Sequence, residues 1–293
     1  MQITPTGQAL GARIEGIDLA RPISEADTDT IVQSLGAYGV LCFPGQELDA
    51  AALAAFGRRF GTLEINVAGV AHDPAVPEVM VLSNMKDAEG RPLGLNDAGQ
   101  GWHTDMSYSH EIALANILHA RHVPRRRGQP LGETQFRNMH AAYDDLPDGL
   151  KQRLAGCTAT HDFAKFLDMM RARPGSLRKP LTAEQRAKKP PVSQPIFRRH
   201  PVTGRMVLYA NPGYTMWIDG MDPQESGEIL DFLFRHQERA AYFYAHRWTE
   251  RDVLMWDNIG TNHSAVADYL PDEPRFMLRA QVMADRVALA AAA

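Results

Sequence analysis

Cysteine is scarce. The 293-residue chain has two, Cys42 and Cys157, neither in CxxC spacing, which excludes a disulfide framework and a thiolate zinc site. A reducing, cytoplasmic setting is the expectation. Long apolar runs are missing as well. The first residues, MQITPTGQALGARIEGIDLA, lack a basic region followed by an apolar stretch, and the terminal ALAAAA is too short for either a leader or a span, so no membrane partner is expected. Charge of one sign is not concentrated: 31 Lys and Arg stand against 35 Asp and Glu, a formal charge of −4, so nothing advertises a nucleic-acid partner. The main basic cluster, RHVPRRRGQ at 121–129, reads as a solvated loop. No internal repeat is visible, which sets repeat architectures aside.

What is present is the pattern of one large domain over residues 1–293. ALGARIEGIDL (9–19) reads as a strand. Ser24, with Asp27 three residues on, caps a helix that ends near Gly36 to Gly39. VLCFPG (40–45) is a short buried strand, and a second helix runs from about Asp49 to Phe60. Strands follow at PEVMVLSN (77–84) and IALANILHA (112–120), and a helix over 139–156 breaks near Pro147. PIFRRHP and RMVLYAN form a hairpin through HPVTGR, and Asp222 caps a helix over PQESGEILDFLFRHQ. YFYAHRW, DVLMWDN, HSAVADY and RFMLRAQVMA complete a series of short strands. The expected fold is mainly β with peripheral helices, a double-stranded β-helix of jelly-roll, cupin-like type. Two polar stretches, 85–101 and 165–190, read as loops that form a lid over a site.

The chemistry begins at GQGWHTDMSYSH (99–110). On an extended segment, residues two apart point to one side, so His103 and Asp105 present an imidazole and a carboxylate to one point. A third ligand has to come from a strand adjacent in space, and the candidate is His263 in VLMWDNIGTNHSAVADY. Two imidazoles and one carboxylate on one face leave adjacent positions open, which suits non-heme Fe(II) and oxygen chemistry. Arg275 and Arg279, four apart in EPRFMLRAQV, face one side of a strand. Arginine directed at a barrel interior is costly without an anion, so the pair implies an acidic small molecule inside.

WHTD (102–105), GETQF (132–136), NMHAAYDDLP (138–147), THDF (160–163), the HPVTGR hairpin with NPGYT (211–215), and WDN followed by His263 and RFMLR occur in order along nearly the whole chain. Together they resemble the Fe(II)- and 2-oxoglutarate-dependent dioxygenases typified by taurine dioxygenase and chlorophenoxyacetate dioxygenase. The resemblance implies that His103, Asp105 and His263 are the iron ligands, and that Thr134 and Arg275 hold the distal carboxylate of 2-oxoglutarate. It further implies that Arg279 and His72 hold the substrate's anionic group, and that Phe163 and Tyr214 line the substrate pocket. Two departures stand out: LNDAGQG replaces an Asn- and Asp-rich segment before WHTD, and Trp217 stands where many relatives carry arginine. The substrate pocket has changed while the iron site has not.

The implied reaction consumes O2 and 2-oxoglutarate, releases succinate and carbon dioxide, and hydroxylates a carbon of a small anionic substrate: a sulfonate, carboxylate or sulfate ester. Where that carbon bears sulfur, nitrogen or oxygen, the product collapses and the bond to the heteroatom breaks. Asp105 occupies the position that related halogenases leave free for chloride, which favours hydroxylation. The resemblance also implies a homo-oligomer, a dimer or tetramer. Two other readings of the ligand set are a cupin-like metal-storage protein, which needs no carboxylate clamp such as Arg275 with Thr134, and a zinc or manganese hydrolase, whose only nearby general base is Asp268.

Overall fold

The computed structural model describes residues 1–65, 71–173 and 179–287. Its main element is a seven-stranded sheet in the order Gln2–Pro5, Ala12–Glu15, Val40–Phe43, Val253–Asp257, Ala113–His122, Phe276–Met283, Met80–Ser83. All its neighbours are antiparallel except the parallel pair Ala12–Glu15 and Val40–Phe43. A three-stranded sheet, Phe243–His246, Thr134–Asn138 and Thr261–Ala265, packs against its inner face. The two sheets make the jelly-roll sandwich without closing into a continuous barrel, and the site lies between them.

The central strands are apolar at nearly every position because both faces are covered. Val40, Cys42, Leu118, Leu254, Trp256 and Met277 point inward and meet Phe136, Tyr244 and Trp248. The alternate residues Leu41, Phe43, Ile117, Met255 and Leu278 point outward. They meet Ile31 and Leu35 of the helix Glu25–Tyr38 and Leu53 and Phe56 of the helix Ala50–Gly57. Ser24 and Asp49 cap these two helices through Asp27 N and Ala52 N. A third cluster joins the helices Met139–Asp144, Asp148–Leu154 and Pro223–His236 to the hairpin of Phe197–Arg199 with Met206–Leu208. The break near Pro147 and the Asp222 cap fall where the sequence puts them.

The 165–190 stretch departs from its reading as a loop. It contains the end of the helix Phe163–Arg171 and the helix Ala183–Lys188, while 174–178 lie outside the described residues. Asp162 caps the first helix through Ala164 N, and Phe166 and Met170 bury one face of it. Thr182 and Gln185 form a reciprocal capping box at the start of the second. Charge and proline content hid both helices; the caps and the apolar spacing build them. The strand Thr134–Asn138, which the sequence reading did not place, is the centre of the small sheet.

Gly260 marks a point where nothing larger fits, since a Cβ there would stand 2.2 Å from Asp257 Oδ2. Gly149, inside the helix Asp148–Leu154, would meet nothing within 4 Å. Gly260→Ala is therefore expected to destabilise by about 1–3 kcal/mol and Gly149→Ala to stabilise by about 0.5–1 kcal/mol. Thermal unfolding of the two variants checks this, and equal melting temperatures would contradict the packing described.

Candidate metal centre

His103 and His263 are directly opposite one another in an isolated antiparallel bridge. His103 N donates to His263 O at 3.1 Å and His263 N donates to His103 O at 2.9 Å, so both side chains leave the same face. Their ring centroids are 4.2 Å apart. This close approach needs Gly213 of NPGYT, where a Cβ would lie 2.6 Å from His103 Cβ.

Asp105 reaches the same point by a route the sequence reading did not foresee. Only His103 is extended. The chain turns at Asp105 and passes through Met106 at φ 59. Asn258 holds this turn: its Oδ1 accepts from Asp105 N at 3.0 Å, while its Nδ2 donates to Asp105 O at 2.8 Å and Ala113 O at 3.1 Å. Asp105 Oδ1 then lies 3.4 Å from His103 Nε2, and Oδ2 lies 3.5 Å from His263 Nε2. All three donor atoms fall within 4.8 Å of one another.

The electronic state of the donors suits a cation. Gly101 O is 2.7 Å from His103 Nδ1 and can only accept, so Nδ1 carries a proton and Nε2 is the nitrogen that faces Asp105. Burial, with the His103 ring beside it, pushes His263 down to about 4, leaving a neutral imidazole at pH 7. Burial alone would raise Asp105, but the Arg279 guanidinium and the two imidazoles hold its carboxyl well below the usual range. Arg279 Nη2 donates to Asp105 Oδ2 at 2.7 Å and to Asn116 Oδ1 at 2.8 Å. His103, Asp105 and His263 thus offer two imidazole nitrogens and one anionic carboxylate to one point.

Two other clusters have donors as close, yet lack this character. His200 Nδ1 accepts from Val202 N and Thr203 N, so its Nε2 carries the proton and turns an N–H, not a lone pair, toward Asp257 at 3.0 Å; His140 lies beside them. In the Cys42, His246 and Asp252 group, burial pushes the Cys42 thiol far above its ordinary value and keeps it protonated.

His103, Asp105 and His263 open into a cavity of about 740 Å³. Thr134, Arg275, Arg279, Phe163 and Tyr214 all line it, as the sequence predicts. Thr134 sits opposite Ala265 in the small sheet and accepts a bond from Trp248 Nε1 at 3.1 Å, which leaves its hydroxyl proton to donate into the cavity. Arg275 is 7% exposed, and its Nε has no hydrogen-bond partner. Among the described residues no carboxylate lies within ion-pair distance of it, so the cavity holds a buried cation in need of an anion. Burial lowers its affinity for the proton, with Tyr269 acting against that effect.

His72 is placed differently from the other candidates: its backbone pairs with Met80, its ring lies electrostatically close to Glu64, and it is absent from the cavity wall. Sequence reasoning missed Asn258 and Asn116, although Asn116 is the one amide in the apolar run ALANILHA. It also missed Tyr108 and Phe166, which complete the aromatic wall. Phe166 lies 4.7 Å from the His103 ring, and Tyr108 lies 4.7 Å from both Phe163 and Tyr214. Asp268, the base a hydrolase would use, accepts from Gly132 N at 2.8 Å and does not line the cavity.

Comparison with known proteins agrees with this geometry. The sequence model described as "Taurine catabolism dioxygenase TauD, TfdA family" matches residues 2–281. Pentalenolactone F synthase of Streptomyces avermitilis is 31% identical over 95% of this chain and 92% of its own length. An alpha-ketoglutarate-dependent 2,4-dichlorophenoxyacetate dioxygenase of a Burkholderia species is 31% identical over 84% of this chain and 82% of its own. The crystal structure of a taurine dioxygenase from Burkholderia xenovorans superposes with a TM-score of 0.77 at 27% identity, covering 98% of this chain and 91% of that one. With sequence matches from end to end and the fold shared over the same span, the chain belongs to the TauD, TfdA family of alpha-ketoglutarate-dependent dioxygenases.

Proposed function

We propose that His103, Asp105 and His263 bind Fe(II), that Thr134 and Arg275 hold the distal carboxylate of 2-oxoglutarate, and that the enzyme hydroxylates a carbon of a small organic acid. The supporting observation is that one cavity contains both the two-histidine, one-carboxylate donor set and the unpaired guanidinium of Arg275 beside a free hydroxyl proton. When bound, the ferrous ion with its 2-oxo acid supplies the activation of O2 that leads to succinate, carbon dioxide and a hydroxylated substrate.

The chain's own residues set the geometry. Gly101 O fixes the His103 tautomer, and Asn258 fixes the Asp105 backbone. Arg279 orients the Asp105 carboxylate through Nη2, while its Nη1, beside the Met80 sulfur, borders the space for the reacting end of the substrate. Tyr108, Phe163, Phe166 and Tyr214 keep water from that space and give it an apolar wall. A substrate with an apolar body and an acid group matches this lining. Relatives named for taurine and for 2,4-dichlorophenoxyacetate fit the range of a sulfonate, carboxylate or sulfate ester. Where the oxidised carbon bears a heteroatom, collapse of the product breaks that bond.

A storage protein has no use for the Arg275 and Thr134 clamp, and Asp268, the base that the sequence offers a hydrolase, is engaged with Gly132 and does not line the cavity. The reading includes a cytoplasmic setting, consistent with free Cys42 and Cys157, and a homo-oligomeric assembly. The helix Ala183–Lys188 and residues 95, 98 and 99 border the cavity, which supports a lid role for the described parts of the 165–190 and 85–101 segments.

Anaerobic protein given Fe(II) and 2-oxoglutarate is expected to develop a weak visible charge-transfer band; a properly loaded sample without it would favour storage or hydrolysis. His103→Ala and Asp105→Ala are expected to abolish succinate release. Arg275→Gln is expected to raise the KM for 2-oxoglutarate at least about tenfold, since a charged hydrogen bond is lost. Turnover in either ligand variant contradicts the ligand assignment. Limited proteolysis tests the lid: cleavage within 165–190 should slow when 2-oxoglutarate and substrate are bound, and equal cleavage in both conditions counts against closure.

A further inference from the structure

We propose that Lys189 receives the acid group of the substrate at the mouth of the cavity, so that the apolar body lies between Lys189 and the metal position and oxidation falls on a carbon remote from the acid. This rests on the reading of the cavity as a dioxygenase site.

The argument is an account of the cations that line the cavity. Arg275 lies at the Thr134 end, where the cosubstrate's carboxylate is placed. Arg279 has already given Nη2 to Asp105 at 2.7 Å and to Asn116 at 2.8 Å. Glu64 also lines the cavity; burial raises its carboxyl above the usual range, and Arg279 and Lys189 act against that. An acid placed against Arg279 would therefore meet the Asp105 carboxylate on the same guanidinium, in a poorly solvated space where like charges repel strongly. Lys188 is exposed and pairs with Glu184 at 2.8 Å.

Lys189 differs from its neighbour. It is half-buried and follows the last residue of the capped helix Ala183–Lys188, with Pro190 and Pro191 next in the chain. Its Nζ stands 5.3 Å above the Tyr108 ring, and Tyr108 packs on Phe163 and Tyr214. The ammonium thus sits against the Tyr108 side of the aromatic wall, while Phe166 of that wall lies against the His103 ring. A molecule with an acid at one end and an apolar body fills this track with its acid outward. Lys179 lies on the same rim and adds charge of the same sign.

The test uses the Fe(II)- and 2-oxoglutarate-loaded protein with 3-phenylpropanoate and 4-phenylbutanoate as probes and their primary amides as neutral controls. Lys189→Met is expected to weaken binding of both acids about tenfold, with the amides and the KM for 2-oxoglutarate unchanged. Lys189→Arg should retain acid binding. In any turnover of these acids, the hydroxyl should appear on a carbon away from the carboxylate. Equal acid affinity in wild type and Lys189→Met, failure of either acid to bind the wild type, or oxidation next to the carboxylate would overturn the inference. The charge-transfer band with 2-oxoglutarate alone separates the two failures. If it persists, the dioxygenase reading stands without Lys189, and if it is absent both fall.

Discussion

The site depends on two backbone hydrogen bonds. By exchanging N–H and carbonyl groups, His103 and His263 bring distant parts of the chain to one face, and the rest of the centre is arranged around that pair. Gly213 leaves room for the approach, and the small sheet carries Thr134 and Ala265 on the same side as His263. Asn258, next to the last residue of the strand Val253–Asp257, then holds the turn that presents Asp105. A rigid sandwich thus positions three donors that no single strand could offer.

Charge in the interior follows the same plan. Asp105 is half-buried, yet Arg279 and two imidazoles surround it, so it remains anionic. Arg275 is buried with no carboxylate among the described residues to pair with it. An unpaired buried guanidinium lowers stability, and folds keep such groups where a ligand supplies the missing charge. Asp105 thus has its partner within the protein, whereas Arg275 has none among the described residues.

Much of this was legible in the sequence because the signals were local or periodic. Ser24, Asp49 and Asp222 announced their helices, and alternation along RFMLR put Arg275 and Arg279 on one face. The HxD pair with His263 gave the donors, and THDF and NPGYT gave Phe163 and Tyr214. What stayed hidden depends on contacts between distant segments. The role of Asn258 exists only once the strand Val253–Asp257 lies beside Ala113–His122. The charged 165–190 segment concealed two helices whose caps outweigh its proline content, and His72, whose backbone pairs with Met80, does not line the cavity. The turn at Asp105 replaced the expected extended run, since Asn258 bonds both sides of that residue.

The central claim is that one ferrous ion is held by His103, Asp105 and His263 together. Anomalous diffraction at the iron edge, from crystals grown with Fe(II) under anaerobic conditions, tests it most directly. A single peak about 2.0–2.2 Å from the two Nε2 atoms and an Asp105 oxygen is the predicted result. A peak at the His140, His200 and Asp257 cluster instead, or none between the two sheets, would contradict it.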